Sequence, residues 1–191
     1  MQKIGIIIGN TNTLILKDKS LLRYTDIKKE LRKRFIIRPR VILCTDKYDE
    51  EEIKLLKKEI RPSKIDYYEK AKVILIGKKI DINKSSVFMV INIEDYINIG
   101  IVSLGKVIIN KEIDIKDIKI DKLVDKIKKE LDELRIEIVA NIKETGIILS
   151  GNNSILKELS TKLRKKLDIP IFLSDDSSND CVEGIKILLG E

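Results

Sequence analysis

The chain contains no histidine, and its two cysteines, Cys44 and Cys181, stand far apart with no CxxC spacing. Zinc sites draw on clustered Cys and His, and Cys-His catalysis needs the missing imidazole, so both chemistries are close to excluded. The two thiols read as buried apolar residues. Aromatic side chains are also sparse, at 4% of the 191 residues. Few rings are left to stack on bases, which argues against single-stranded nucleic acid as a partner. Apolar runs are short, and none approaches the roughly 20 residues that a membrane-spanning helix needs. The opening MQKIGIIIGN holds too brief an apolar run for a signal peptide and reads as a first strand, so the expected compartment is the cytoplasm.

Charge is plentiful. Lys and Arg number 38 against 31 Asp and Glu, a net charge of +7 within a charged fraction of 36%. A mild excess of this kind permits an anionic partner without requiring one. Most lysines read as solvated surface. Lys28, Lys29, Arg32 and Lys33, with Arg34, Arg38 and Arg40 after them, form the densest basic cluster and the candidate for an acidic lipid surface. No aromatic interleaves it in a stacking pattern. The length suits one ordinary domain or two small lobes sharing a core.

Periodicity organises the chain into two similar halves. In the first, strands are expected over residues 3–9 and 12–17 and around Leu21, then a helix over 26–35 on Ile27, Leu31 and Phe35. A strand at 41–44, a helix at 49–60, a strand at 65–68 and a helical piece at 69–76 follow, and 78–86 reads as a connector. The second half opens with a meander from Val87 to Glu112: VFMVINI, a tight EDY turn, INIGIVSLG and KVIINKE. VFMVINI reads as a strand buried on both faces; in the next, Ile97, Ile99 and Ile101 alternate with Asn98 and Gly100, as in a strand covered on one face. Helices are expected over 120–134 and 136–143, then a strand at 146–149, a helix at 154–167, a strand at 169–173 and a closing helix at 179–189. The simplest account is an α/β fold of duplicated βββαβαβα units, giving two mixed sheets packed with helices. The expected lobes are residues 1–84 and 85–191, with the closing helix packing back toward the first lobe.

Several segments narrow this architecture. GIIIGNTNTLIL at Gly5 to Leu16 is similar to G-I-D-L-G-T-A-N-T-L, and RPRVILC at Arg38 to Cys44 resembles R-P-x-V-V-V-C. VSLGKVI at Val102 to Ile108 is similar to I-S-L-G-G-I-V. TGIILSGNNSILKEL at Thr145 to Leu159 resembles R-G-I-V-L-T-G-G-G-A-L-L-x-x-L, and IPIFLSDD with VEG, at Ile169 to Gly184, resembles L-P-V-x-x-A-D-D-P with A-x-G. These are motifs of the MreB-type bacterial actins, within the actin, sugar-kinase and Hsp70 superfamily. The resemblance spans nearly the whole chain in order. It implies an actin-like, ribonuclease H-like fold with ATP between two lobes, and no room remains for the family's upper subdomains.

The resemblance also places three candidate sites. The first phosphate loop falls on Gly9, Asn10, Thr11 and Asn12, a polar and flexible turn, but the position of the family's metal-supporting acid holds Ile7. The second falls on Asn92 and the turn after it, where the family has D-I-G-G-G-T-T. Glycines there let the backbone approach phosphates closely, whereas this chain offers Glu94, Asp95 and Tyr96. Two unit charges 4 Å apart repel by about 4 kcal/mol at an effective dielectric of 20, so carboxylates facing phosphates are unfavourable unless a metal bridges them. The nucleoside loop falls on Ser150 to Asn153, with Gly151 and Asn152 as candidate contacts; its plainer reading is a strand-to-helix turn capped by Asn153 or Ser154. Glu69 aligns with the glutamate that positions the attacking water in active relatives, and its alternative role is an acid at the N-terminus of a surface helix. No metal ligand and no cofactor are expected, ATP with magnesium being the exception if the site is retained. The functional expectation is a non-hydrolysing, actin-like scaffold or adaptor for cell shape. The alternatives are an ATP-binding filament former and an anionic-membrane module, possible peripheral contact being with the inner membrane face; protein partners or self-association fit all three.

Overall fold

The computed structural model describes residues 3–8, 13–17, 20–23, 38–46, 50–94, 96–114, 119–151, 154–174 and 176–190. The expected helix over 26–35 lies outside them. The chain divides into two units, Met1–Lys78 with Cys181–Glu191, and Lys79–Asp180.

In the first unit, alternation sends Ile4 and Ile6 of β1 (Lys3–Ile8) to one face of a sheet, together with Ile15 of β2 (Thr13–Lys17). β3 (Ser20–Arg23) pairs with β2; β4 (Arg40–Cys44) runs parallel to β1, and β5 (Lys64–Tyr68) parallel to β4. The order is β3-β2-β1-β4-β5. Helix α1 (Glu50–Ile60) carries Ile53, Leu56 and Ile60, spaced three and four apart, onto Val41 and Leu43 of this face. Each such buried aliphatic side chain contributes about 1.5–3 kcal/mol. Helix α2 (Lys70–Gly77) buries Ala71, Val73, Ile74 and Leu75.

The edge of this sheet is pinned electrostatically. Asp66 accepts from Arg40 Nε at 2.5 Å and from Lys64 Nζ at 2.7 Å. The bonds from Lys64 and Arg40 hold the Asp66 carboxyl below its ordinary value of 3.8. A folded-state value below the unfolded one contributes stability that is complete above 3.8 and is lost as pH falls through the folded value. Asp66→Asn should therefore lower stability modestly at neutral pH, Lys64 being 64% exposed and screened by water. The gap between the two proteins should close below pH 3.8, as urea denaturation across pH would record.

The second unit repeats the plan. β6 (Val87–Ile93), β7 (Tyr96–Ser103) and β8 (Lys106–Asp114) form the meander, and β9 (Ile147–Gly151) and β10 (Ile171–Leu173) complete the order β10-β9-β6-β7-β8. Read from each third strand, both sheets have the order third-second-first-fourth-fifth, which is the duplication in topological form. Ser103 pairs with Lys106 across a two-residue turn in which both Leu104 and Gly105 have positive φ, the twist-matching geometry for a hairpin. One sheet face is covered by helices: Leu123, Val124, Ile127 and Leu131 of α3 (Ile120–Asp132) and Leu156, Leu159 and Leu163 of α5 (Leu156–Lys166) pack on Met89, Ile91, Ile93, Ile97 and Ile99. Helix α4 (Ile136–Thr145) is all that separates α3 from β9, so no further subdomain is inserted there.

Two expectations change. β7 is buried on both faces, with Asn98 and Gly100 inside; Asn98 Nδ2 finds an acceptor on the neighbouring strand, donating to Asn110 Oδ1 at 2.7 Å. Helix α5 has Ile155 at its N-cap and no side-chain cap bond, so Ser154 does not cap it; Asn153 lies outside the described residues. The closing helix α6 (Asp180–Leu189) sits, from Cys181 onward, with the first unit. Lys3 Nζ donates to the Leu189 carbonyl at 2.7 Å, satisfying a carbonyl at its end.

Candidate functional site

Parallel strands carry ligands at their C-terminal ends. In the first unit those ends are Ile8 of β1, Cys44 of β4 and Tyr68 of β5. Ile7 is 6% exposed and sits in register between Leu14 and Cys44, an apolar residue in an apolar slot. The Cys44 thiol is pushed well up by its hydrogen bond with Cys181, with burial adding to the effect, so it stays protonated and unreactive. Glu69 is the N-cap of α2, with extended backbone and no side-chain cap bond. The helix it opens is buried rather than on the surface, since even Lys70 is only 5% exposed. A residue that sequence reasoning missed supplies the cap: Asp46, just past β4, accepts from the Lys70 backbone N–H at 3.0 Å. Its partner lies 24 residues away, so no local signal marks it.

In the second unit, register aligns Asn92 of β6 with Asn98 of β7 and with Ser150 of β9. Paired residues share a face, so these three polar side chains form a row near the C-terminal end of the sheet. Asn92 is 3% exposed and donates from Nδ2 to Glu94 Oε1 at 3.2 Å. The Glu94 backbone N–H donates to the Tyr96 carbonyl at 3.0 Å, closing the hairpin. Among the described residues, Asn98 Oδ1 is a buried polar atom without a hydrogen-bond partner. Ser150 Oγ donates to the Ser177 carbonyl at 3.1 Å, and Ser177 Oγ returns a bond to the Gly151 carbonyl at 3.0 Å. This reciprocal pair ties β9 to the turn before α6; Ser150 falls in the candidate nucleoside loop, whereas no local signal marks Ser177.

Gly151 has φ +115, and a Cβ there would overlap the Ile93 carbonyl oxygen and lie 2.7 Å from its carbon. Close approach of β9 to β6 is thus sufficient reason for the glycine. Of the other candidate residues, Gly9, Asn10, Thr11, Asn12, Asn152, Lys28, Lys29, Arg32 and Lys33 lie outside the described residues, as does Asp95. No group of three or more His, Cys, Asp or Glu is placed to hold a metal among the described residues. A magnesium nucleotide needs an acid for the metal's hydration shell and free amides for phosphate. Among the described residues, Ile7 has no ligand atom, Asn92 is neutral and engaged with Glu94, and the Glu94 amide is spent on the hairpin.

Two mixed sheets of identical order, each flanked by helices, define the actin-like ATPase fold. The whole chain superimposes on solved structures of that fold. MreB5 of Spiroplasma citri bound to AMPPNP matches at TM-score 0.77 and 14% identity, covering 97% of this chain and 95% of that one. The ADP-bound form of the same protein gives 0.78 at 14% identity with the same coverage. An AlfA filament bound to AMPPNP gives 0.63 at 11% identity, covering 100% of this chain and 97% of that chain. By sequence, residues 115–191 match the family model for the MreB/Mbl protein. No curated protein matches the chain by sequence. Among the described residues no helix is long and apolar enough to cross a membrane.

Proposed function

We propose that this chain is an actin-like protein that no longer hydrolyses ATP and serves as a scaffold or adaptor in a cytoskeletal, cell-shape assembly. The observation that carries the reading is the β6–β7 turn. Where phosphate would need glycine amides and an acid, Asn92 is buried and bonded to Glu94, and the Glu94 N–H closes the hairpin. A carboxylate facing a polyphosphate would repel it, and Ile7 offers no metal support. Nothing in this arrangement impairs the fold, so a binding surface can persist after the chemistry has gone.

Calorimetric titration with ATP and magnesium, at millimolar nucleotide, is expected to give no binding heat. Clear micromolar affinity would overturn the reading. It would favour instead an ATP-dependent filament former, a possibility supported by the similarity to an AlfA filament bound to AMPPNP. Pelleting that depends on nucleotide would identify that case. Self-association is compatible with both readings, and so is peripheral contact with an anionic membrane.

A further inference from the structure

At the opposite end of the first unit's sheet from its candidate site lies an open groove of about 520 Å³, a volume typical of ligand sites. Lys3, Arg40 and Lys64 are in register at this end of β1, β4 and β5, whereas Ile7, Cys44 and Tyr68 mark the other. Four residues of strand separate them, roughly 13 Å. The groove is lined by Arg38 before β4, by Lys57 and Arg61 at the end of α1, and by Lys64 and Tyr67 of β5. Among the described residues its wall contains four cations and no acid. Lys64 is paired with Asp66, but Arg38, Lys57 and Arg61 have no ion-pair partner among the described residues.

The floor is held in place. Ser63 donates to the Pro39 carbonyl from both its backbone N–H, at 2.8 Å, and its hydroxyl, at 3.1 Å, so the segment carrying Arg38 is fixed beside that carrying Arg61. A second observation is independent of charge. Arg61 has φ +49 and its N–H bonds the Lys57 carbonyl, the position after a helix where glycine is the usual residue. An arginine there carries backbone strain that glycine would not. The dipole at the end of α1 accounts for Lys57, which lies in its last turn, but it does not explain a strained Arg61 or the convergence of Arg38 from another segment.

We propose that this groove binds a soluble anion rich in phosphate groups, held by Arg38, Lys57 and Arg61, with Lys64 at the rim. Guanidinium forks match phosphate oxygens in paired hydrogen bonds, and Lys adds a point charge. A groove lined by several cations suits a compact polyanion, which can contact them together. The exposed ring of Tyr67 gives the groove an apolar side.

The test is titration of the full chain with sodium tripolyphosphate in EDTA at low salt. Saturable binding of one anion per chain is expected, weakened about tenfold by Arg61→Gly and similarly by Lys57→Gln, each removing a charge-assisted contact. Arg61→Gly should at the same time hold or raise the thermal midpoint, because it relieves the left-handed arginine. Lys126→Gln, on an exposed face of α3, should leave affinity unchanged. Absence of tripolyphosphate binding, or an affinity in Arg61→Gly and Lys57→Gln as high as in the unaltered chain, would overturn the proposal. So would binding confined to phosphatidylglycerol vesicles, which would assign the cations to a membrane instead.

Discussion

Gly151→Ala is expected to lower the unfolding free energy by about 4 kcal/mol, the combined scale of a forbidden backbone conformation and an overpacked core. The residue closes β9 at φ +115, in register with Ile93 on β6. A Cβ would overlap the Ile93 carbonyl oxygen and lie 2.8 Å from its nitrogen. Backbone cannot rotate away as a side chain can, so the strands must part. Their separation would also pull on the bond from Ser177 to the Gly151 carbonyl. Against a typical total of about 5–15 kcal/mol, the loss is a large share, and a urea denaturation curve would show it as a fall in midpoint. If Gly151 served instead to admit a nucleoside, the alanine variant would keep its midpoint. A shift smaller than about 1 kcal/mol would count against the packing explanation.

The second large effect concerns Gly184, in the middle of α6. By helix propensity alone, alanine should be better here by about 1 kcal/mol. Packing opposes it: a Cβ would overlap the Val73 carbonyl oxygen of α2 and stand 2.7 Å from Val73 Cγ1. We expect Gly184→Ala to lose about 3 kcal/mol net. Adding Val73→Ala removes the side-chain contact but leaves the carbonyl, so the double variant should recover only part of the loss. A second readout is available in the thiols. Cys44 and Cys181 are both free and buried, and the shifted helix should make them react faster with a thiol reagent. Unchanged stability and unchanged labelling together would show that α6 does not rely on this close approach.

Both glycines illustrate what a linear reading misses. Gly151 stood out as part of a turn motif, and Gly184 as part of VEG, yet the reason for each is an atom far along the chain. Gly5 is similar: a Cβ there would run into Ile185 of α6, which no alternation pattern along β1 could reveal. The α3 stripe was fully legible, because a period of 3.6 is a local property and Leu123, Val124, Ile127 and Leu131 obey it. The alternation in β7 was legible as a strand but misleading about its surroundings. A polar residue at every second position signals solvent only if no partner is within reach, and Asn110, itself exposed on β8, accepts from Asn98 Nδ2.

The candidate site divides in the same way. That Ile7 stands where the resemblance places an acid, and that carboxylates follow Asn92, could be read directly, since residue identity fixes which side chains carry a ligand atom. What Asn92 does with its amide could not be read. Its bond to Glu94 and the hairpin closed by the Glu94 N–H depend on how the β6–β7 turn folds back. The cap that Asp46 gives α2 and the convergence of Arg38 with Lys57 and Arg61 depend on strand order.

By itself, then, the sequence determined most of the elements, their duplication and which side-chain chemistries are present, because period and side-chain identity are local. Only the tertiary structure decided which distant atoms meet: glycine against carbonyl, asparagine against glutamate, and three cations around one groove. Those contacts are set by register and close packing, and neither is written in any single stretch of chain.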